Sequence, residues 1–396
     1  MKGIYSRILG QRFTSKKGIN IFTKGGRITK ANENLTRFPG YYQFVCNTKI
    51  ISGHMALENI PEELKKRGAK TPYLIFQQEL VEKGIIKLFL KSLAQAGIDN
   101  KYVLLCSKAV ANEYEMQAMS EFNQYQCDSI VAIGGGCSFI LGKNIRDAVL
   151  MNQENPRQVT FITVPAVNSG HEISGEPDVI VLDSRLTKDL SPAMTVLSAM
   201  DTLYHAIETY TGRNKNPVSD AFAFSAISLV GNNLHKALKV GKDKLARLAL
   251  ANASLLSTMA SEDSLQKGFC HVLAKALEEK YGVSHETAIG ILLPHYLELN
   301  MIRLGMYYGE LLLPLAGAEI YADTLPYERG RKFVQVIKNI MSDCHKKYGF
   351  CASLSEIGVK RTDFDDIIKL CEDYANSLDN SGINEENAKN ILNFAF

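Results

Sequence analysis

The sequence predicts an α/β domain built on a parallel sheet, followed by an all-α domain. Two changes of texture carry that expectation. From about 41 to 185, short runs rich in β-branched and aromatic residues alternate with helical stretches, and such alternation builds βαβ units around a parallel sheet. From about 192 onward strand signals stop and amphipathic segments follow one another. The size agrees: 396 residues, 46% of them hydrophobic, are enough for two domains that each bury a core.

Taken in order, residues 1–40 form a basic N-terminal extension with nine Lys or Arg and Glu33 as its sole acid. It lacks the apolar stretch of a secretory signal, and suits either a loosely ordered lead-in to the first strand or a transit-like peptide. The predicted strands are YYQFVCN, TPYLIFQ, YVLLCS, DSIVAIGGG, QVTFITVPAV and DVIVLD. Helical stretches such as ALENIPEELKKRG and EKGIIKLFLKSLAQAG lie between them. The later helices are predicted at 194–212, 217–240, 243–261, 264–281, 285–304, 327–348, 363–378 and 385–394. The boundary falls in LDSRLTKDLSPA, giving a sheet domain over 41–190 and a helical domain over 191–396. There is no internal repeat and no low-complexity tract.

Composition removes several classes of function. A net charge of +3, evenly spread beyond the extension, argues against a nucleic-acid partner. No run of about eighteen apolar residues exists, so no membrane-spanning helix is expected. The eight cysteines are scattered without a C-x-x-C pair and read as reduced thiols, which places the protein in the cytoplasm.

Four residues carry the strongest chemical signal. Asp201 and His205, in AMDTLYHAIETY, stand four apart and so share one helical face. His271 and His285, in FCHVLAKALEEKYGVSHETAIGILLPH, add two more imidazoles on helix-like segments. A divalent cation wants about four N or O ligands, and this set outlines a metal site. Each histidine taken alone equally suits a surface or hydrogen-bonded role.

A second candidate lies in the first half. The apolar run SIVAI ends in Gly134, Gly135 and Gly136, and a helical stretch follows. A glycine turn between strand and helix lets backbone N–H groups approach a phosphate. It is not G-x-G-x-x-G, and it equally suits a plain tight turn. Cys137 beside it is expected to have a lowered pKa, because helix N-termini favour thiolates. His171 and Glu172 are chain neighbours that point apart, so they read as loop residues. There is no G-x-S-x-G elbow, P-loop or H-E-x-x-H helix.

These motifs resemble the iron-containing (group III) alcohol dehydrogenase family. IGGGCSFILGK is similar to that family's phosphate-binding loop GGGS-x-x-D-x-AK, AMDTLYHAIETY to its G-x-DAL-x-HAIE-x-Y, and CHVLAKALEEKYGVSH to its H-x-x-x-H-x-L-x-x-x-Y-x-x-x-H. ILLPHYLELN, QFVCNTKIISG and PDVIVLD also align, so the resemblance covers roughly residues 41–396. It implies a dehydroquinate synthase-like fold, with a Rossmann-like dinucleotide-binding domain, an all-helical catalytic domain and a cleft between them. It implies Fe(2+), or Zn(2+), on Asp201, His205, His271 and His285. NAD or NADP would bind at Gly134, Gly135, Gly136, Cys137, Ser138 and Lys143. The partner is a small polar alcohol or aldehyde, and a homodimer is possible. A dication there lowers the pKa of a substrate hydroxyl so that hydride can pass to nicotinamide.

Departures from the family pattern gather around the dinucleotide. The loop's Asp aligns with Ile140 and its Ser with Cys137, while the acid expected to bind the adenosine ribose aligns with Gln77, which weakens a preference for NAD over NADP. The family's PTTAGTGSE loop is represented by PAVNSGHE, with Ala166 and Val167 after the proline, and the following hairpin has no room. On the metal side, the middle histidine becomes Lys275, the nicotinamide wall aligns with Glu262, and Lys267 lies nearby. The resemblance makes Lys275 and His271 the catalytic candidates, with Lys275 suited to proton transfer or to holding a substrate anion. Three functions follow. They are a metal-dependent oxidoreductase using NAD(P), a metal-binding family member without ordinary dehydrogenase activity, and a metal-dependent lyase or cyclase on a sugar-like substrate.

Overall fold

A computed structural model describes residues 41–82, 84–105, 111–151, 158–167, 176–212, 216–261, 268–377 and 385–396. The expectations for the 1–40 extension, His171, Glu172, Glu262, Lys267 and the shortened loop after Val167 lie outside the described residues.

Among the described residues, six strands form one parallel sheet: β1 (Lys49–Gly53), β2 (Pro72–Gln77), β3 (Lys101–Leu105), β4 (Ser129–Gly134), β5 (Thr160–Pro165) and β6 (Val179–Asp183). The sheet region also holds α1 (Ile60–Lys66), α2 (Gln78–Glu82), α3 (Ile85–Gln95), α4 (Ala111–Gln124), α5 (Gly136–Leu150) and α6 (Ser184–Thr187). The strand order is β1-β6-β5-β4-β2-β3. From β2 the chain steps outward to β3, then crosses back to β4 and proceeds the other way. The order therefore reverses between β2 and β4, and ligands of such sheets bind beyond the strand ends at that switch.

Strands β4 and β6 are buried along their whole length, as expected when helices cover both faces. Alternate side chains point to opposite faces. Leu74, Phe76, Val131, Ile133, Ile162 and Val164 join Phe89 and Leu93 of α3 on one side. Tyr73, Ile75, Ile130, Ala132 and Phe161 join Phe122 and Ile145 on the other.

Beyond Asp183 the described chain is helical: α7 (Pro192–Thr211), α8 (Pro217–Lys239), α9 (Lys244–Ser261), α10 (Phe269–Tyr281), α11 (His285–Leu299), α12 (Met301–Asp323), α13 (Arg329–Tyr348), α14 (Phe364–Ser377) and α15 (Glu385–Ala395). Helix α9 joins the two regions. Its Ala251, Leu255 and Met259 cover Ile180 and Leu182 of β6, and Asn252 donates to the Ser52 hydroxyl of β1 at 2.8 Å. No helix among the described residues is long and apolar enough to cross a membrane.

Two local expectations change. The first strand is KIISG rather than YYQFVCN, because β6 pairs with residues 49–53 and the Thr48 hydroxyl anchors that register on the Pro177 carbonyl at 2.7 Å. Residues 41–48 are rich in aromatic and apolar residues yet have no strand partner among the described residues. The helix expected at 285–304 ends at Leu299, and α12 begins at Met301, running to Asp323 through Pro314 and Gly317. Helical geometry breaks at the exposed Gly317 (φ 87°, ψ 169°), so α12 is two helical stretches that meet at a kink.

Candidate active site

The helical side of the site starts with α7. Ser191 accepts from the Met194 N–H, and Pro192 occupies the first turn, so the start of the helix is well defined. Ten residues in, Asp201 and His205 share its inner face. Asp201 is fully buried, and its Oδ1 lies 3.6 Å from His205 Nε2. His271 sits in the first turn of α10. His285 opens α11, whose start is fixed by Ser284 accepting from the Thr287 N–H.

Folding brings these four together. One ligand atom each from His205, His271 and His285 lie within 4.8 Å of one another. The His271 and His285 rings are 4.6 Å apart at their centroids, and those of His205 and His271 are 5.8 Å apart. Asp201 Oδ1 is also 3.8 Å from His285 Nε2, so the carboxylate faces two of the three imidazoles. For comparison, with metal–nitrogen bonds of about 2.0–2.1 Å, donors at neighbouring corners of a tetrahedron are roughly 3.4 Å apart. The Asp201–His205 and Asp201–His285 separations of 3.6 and 3.8 Å lie close to that, and three imidazoles with one carboxylate suit a divalent ion such as Fe(2+) or Zn(2+). The donor set fits a divalent ion.

Two neighbours of this cluster carry little sequence signal of their own. Tyr204 and Glu208 interleave with Asp201 and His205 on the same face of α7, and the Tyr204 hydroxyl donates to Glu208 Oε1 at 2.6 Å. An aromatic and an acid at helical spacing read as an ordinary helix face. Glu208 matches the acid of the HAIE string that resembles the family's motif, whereas Tyr204 falls at an unspecified position of it.

The sheet side of the site is the turn after β4. In parallel register Phe76 stands opposite Ile133, so Gln77 at the end of β2 meets Gly134. A Cβ on Gly134 would lie 3.0 Å from Gln77 Cγ, and one on Gly135 would lie 3.0 Å from Val167 Cγ2. Glycine is required there because those side chains already occupy the space. Gly135 caps α5 without a side-chain hydrogen bond, leaving the first-turn amides of a fifteen-residue helix free of any side-chain cap. Ser138, two residues in, is fully buried, and its hydroxyl has no hydrogen-bond partner among the described residues.

The remaining predicted residues spread along these helices. Ile140 is partly exposed on α5. Lys143 lies about two turns into α5 and pairs with Asp147 at 2.6 Å. Lys275 follows His271 by one turn on α10 and pairs with Glu278 at 2.9 Å. The charges of Glu278 and Lys275 are felt at the Cys137 thiol beside the glycine turn. The expectation of a lowered Cys137 pKa is corrected: burial and the Glu278 carboxylate push the thiol up, outweighing the backbone hydrogen bond and Lys275.

A parallel sheet ending in a glycine turn, joined to a helical region with three imidazoles and a carboxylate, is the architecture of metal-dependent dehydrogenases. Sequence comparison agrees over almost the whole described chain. The iron-containing alcohol dehydrogenase family matches residues 47–217, and the C-terminal part of the Fe-containing alcohol dehydrogenase family matches residues 195–396. The chain belongs to the iron-containing alcohol dehydrogenase family and is an oxidoreductase.

Individual relatives are distant. A 1,3-propanediol dehydrogenase of Klebsiella pneumoniae is 27% identical over 374 residues, which is 83% of this chain and 92% of that relative. An NAD-dependent methanol dehydrogenase of Bacillus methanolicus is 24% identical over 357 residues, covering 82% of this chain and 92% of that protein. The crystal structure of a 1,3-propanediol oxidoreductase superposes with a TM-score of 0.79 at 24% identity, covering 90% of this chain and all of that one. At that identity the structural likeness shows the shared fold.

Proposed function

We propose that the chain is a metal-dependent dehydrogenase that interconverts a small polar alcohol and its aldehyde or ketone, with NAD or NADP as hydride carrier. The observation that carries this reading is the convergence of Asp201, His205, His271 and His285 from three helices. Those four residues would hold Fe(2+) or Zn(2+). When bound, the ion supplies a positive charge that polarises an alcohol or carbonyl oxygen, and the dinucleotide accepts or donates the hydride. Three neutral imidazoles leave most of the ion's charge uncancelled, while the buried Asp201 carboxylate helps retain it.

The uncapped first turn of α5, with Gly134, Gly135, Gly136, Cys137 and Ser138, would receive the dinucleotide phosphates. Lys143 adds positive charge farther along that helix. Lys275, on the same face of α10 as His271 and near the glycine turn, would place a cation between the two half-sites. That position suits holding an anionic group of the cofactor or substrate, and proton transfer if the Glu278 pairing opens. Relatives whose names specify a diol and an NAD dependence support a polar substrate and a nicotinamide carrier. Scattered free thiols suit a cytoplasmic setting, and a homodimer, which the family resemblance implies, is part of this proposal.

A second reading, a metal-binding family member without ordinary turnover, draws on Gln77 and Val167 crowding the turn. One titration separates the two. The Fe(2+)-loaded protein is titrated with NAD, NADH, NADP and NADPH by fluorescence, then assayed on diols, hydroxy acids and sugars. The proposal expects submillimolar binding of at least one dinucleotide and its reduction by a polar alcohol. No binding of any dinucleotide at millimolar concentration overturns it. Binding with no oxidation of any alcohol favours the second reading.

A further inference from the structure

The start of α10 is built unusually. Its cap position is Gly268, which offers no side-chain acceptor, although the helix carries His271 in its first turn. A helix start without an acceptor leaves its first N–H groups unsatisfied. Here a second acceptor comes from another helix. The backbone N–H of His271, the third amide of α10, is shared between the Gly268 carbonyl at 3.0 Å and the Tyr204 hydroxyl of α7 at 3.1 Å, the latter standing where a Ser or Asp cap would ordinarily bond.

The same hydroxyl donates to Glu208 Oε1 at 2.6 Å. A phenol that donates in one direction and accepts from the other has a fixed orientation. Glu208 also explains the glycine. Its Oε1 lies 1.4 Å from the point where a Cβ on Gly268 would stand, and the Tyr204 oxygen lies 3.0 Å from that point. The backbone of Gly268 is extended (φ −70°, ψ 166°), which any residue adopts, so space rather than conformation selects glycine. A carboxylate beside the positive end of a helix is also favourably placed. Tyr204 is fully buried, and Tyr296 meets it edge-on at 6.0 Å, so the clamp is held from the side.

We propose that Tyr204 and Glu208 are positioning residues for the metal centre: α7 supplies Asp201 and His205 and also, one step around the same face, the clamp that fixes His271. The inference rests on the metal reading above. A helix start braced by this phenol, beside the Gly268 carbonyl, decides where the His271 imidazole lies relative to the other donors. Partners of metal ligands commonly tune affinity about 10- to 100-fold, and this pair acts through the backbone of a ligand rather than through its ring.

The test uses Co(2+) binding by the full chain, followed by visible absorption, with circular dichroism and metal-free melting measured in parallel. Tyr204→Phe and Glu208→Ala are expected to weaken Co(2+) binding at least about tenfold and to alter the absorption bands, while helix content stays unchanged. Glu208→Gln keeps an acceptor oxygen for the phenol and is expected to restore most of the affinity. Gly268→Ala gives an independent probe, since its Cβ must displace Glu208, and it is expected to resemble Glu208→Ala. Wild-type affinity and spectrum in Tyr204→Phe and Glu208→Ala, or in Gly268→Ala should the others not fold, would overturn the inference and leave the metal reading standing. Failure of the wild-type protein to bind Co(2+), or equal binding by Asp201→Ala, would instead overturn the metal reading.

Discussion

The two halves of the site are built from different material. On the helical side, the proposed metal ligands are side chains, and their donor atoms converge from α7, α10 and α11. On the sheet side, the proposed phosphate-binding surface is backbone, the glycine turn and the uncapped start of α5, and side chains crowd it. A side-chain site survives as long as its residue types and helix registers are kept. A backbone site can be narrowed by any neighbour, and Gln77 and Val167 are such neighbours.

The sharpest way to break this contrast is to remove a donor. Asp201→Ala or His285→Ala deletes a charged or aromatic ligand from a four-donor set, and loss of metal affinity by 100-fold or more is expected, on the order of 3 kcal/mol. Measured by Zn(2+) calorimetry, that loss should leave dinucleotide affinity nearly unchanged, since the glycine turn belongs to another region. A parallel fall in both affinities would show that the halves are not separable.

The reciprocal change is Gly135→Asp. Its Cβ meets Val167 at 3.0 Å, and its carboxylate would stand where phosphate charge is expected. NADH binding, followed by fluorescence, should fall at least tenfold, about 1.4 kcal/mol, with Zn(2+) affinity retained. A smaller and subtler effect is expected at Gln77→Asp. An acid at the end of β2 is positioned to accept from ribose hydroxyls and to repel a 2′-phosphate. The NAD-to-NADP affinity ratio should rise about tenfold, roughly 1.4 kcal/mol, and an unchanged ratio would place the ribose elsewhere.

The same contrast governs what could be read from the chain. The metal quartet is legible because Asp201 and His205 stand one helical turn apart, and His271 and His285 complete a recognisable donor set. The order of sheet then helices is legible from the change of period at about 190. Crowding of the glycine turn is not, because Gln77 and Gly134 meet only through the pairing of β2 with β4, a long-range choice of register. The clamp of Tyr204 and Glu208 is equally hidden: its partner is a backbone amide on another helix, and amides have no letter in a sequence. Strand β1 and helix α12 escape for related reasons. The first is chosen by its partner β6, and the second joins two helical stretches across a kink at Gly317.

The smallest expected effect on the site itself comes from the frame of the sheet side, whose disruption is read in stability. Asp183, at the end of β6, is nearly fully buried, and burial alone would raise its pKa. Hydrogen bonds from the Arg185 side chain and from the backbone N–H groups of Arg185 and Leu57 prevail and hold the carboxyl below its usual range. Arg185 also reaches Glu58 at 2.7 Å, tying the end of the sheet to the segment after β1. Because the folded pKa is depressed, this group contributes stability above its unfolded value of about 3.9, and the contribution is lost as pH falls through the folded pKa. Asp183→Asn should therefore cost about 1–3 kcal/mol at neutral pH, read as a lower urea midpoint. The gap from wild type should narrow as pH drops below about 4. Metal affinity should stay unchanged, since the cluster hangs on α7, α10 and α11. A pH-independent gap would assign the loss to packing rather than to charge, and a fall in Zn(2+) affinity would show that the sheet frame supports the metal half after all.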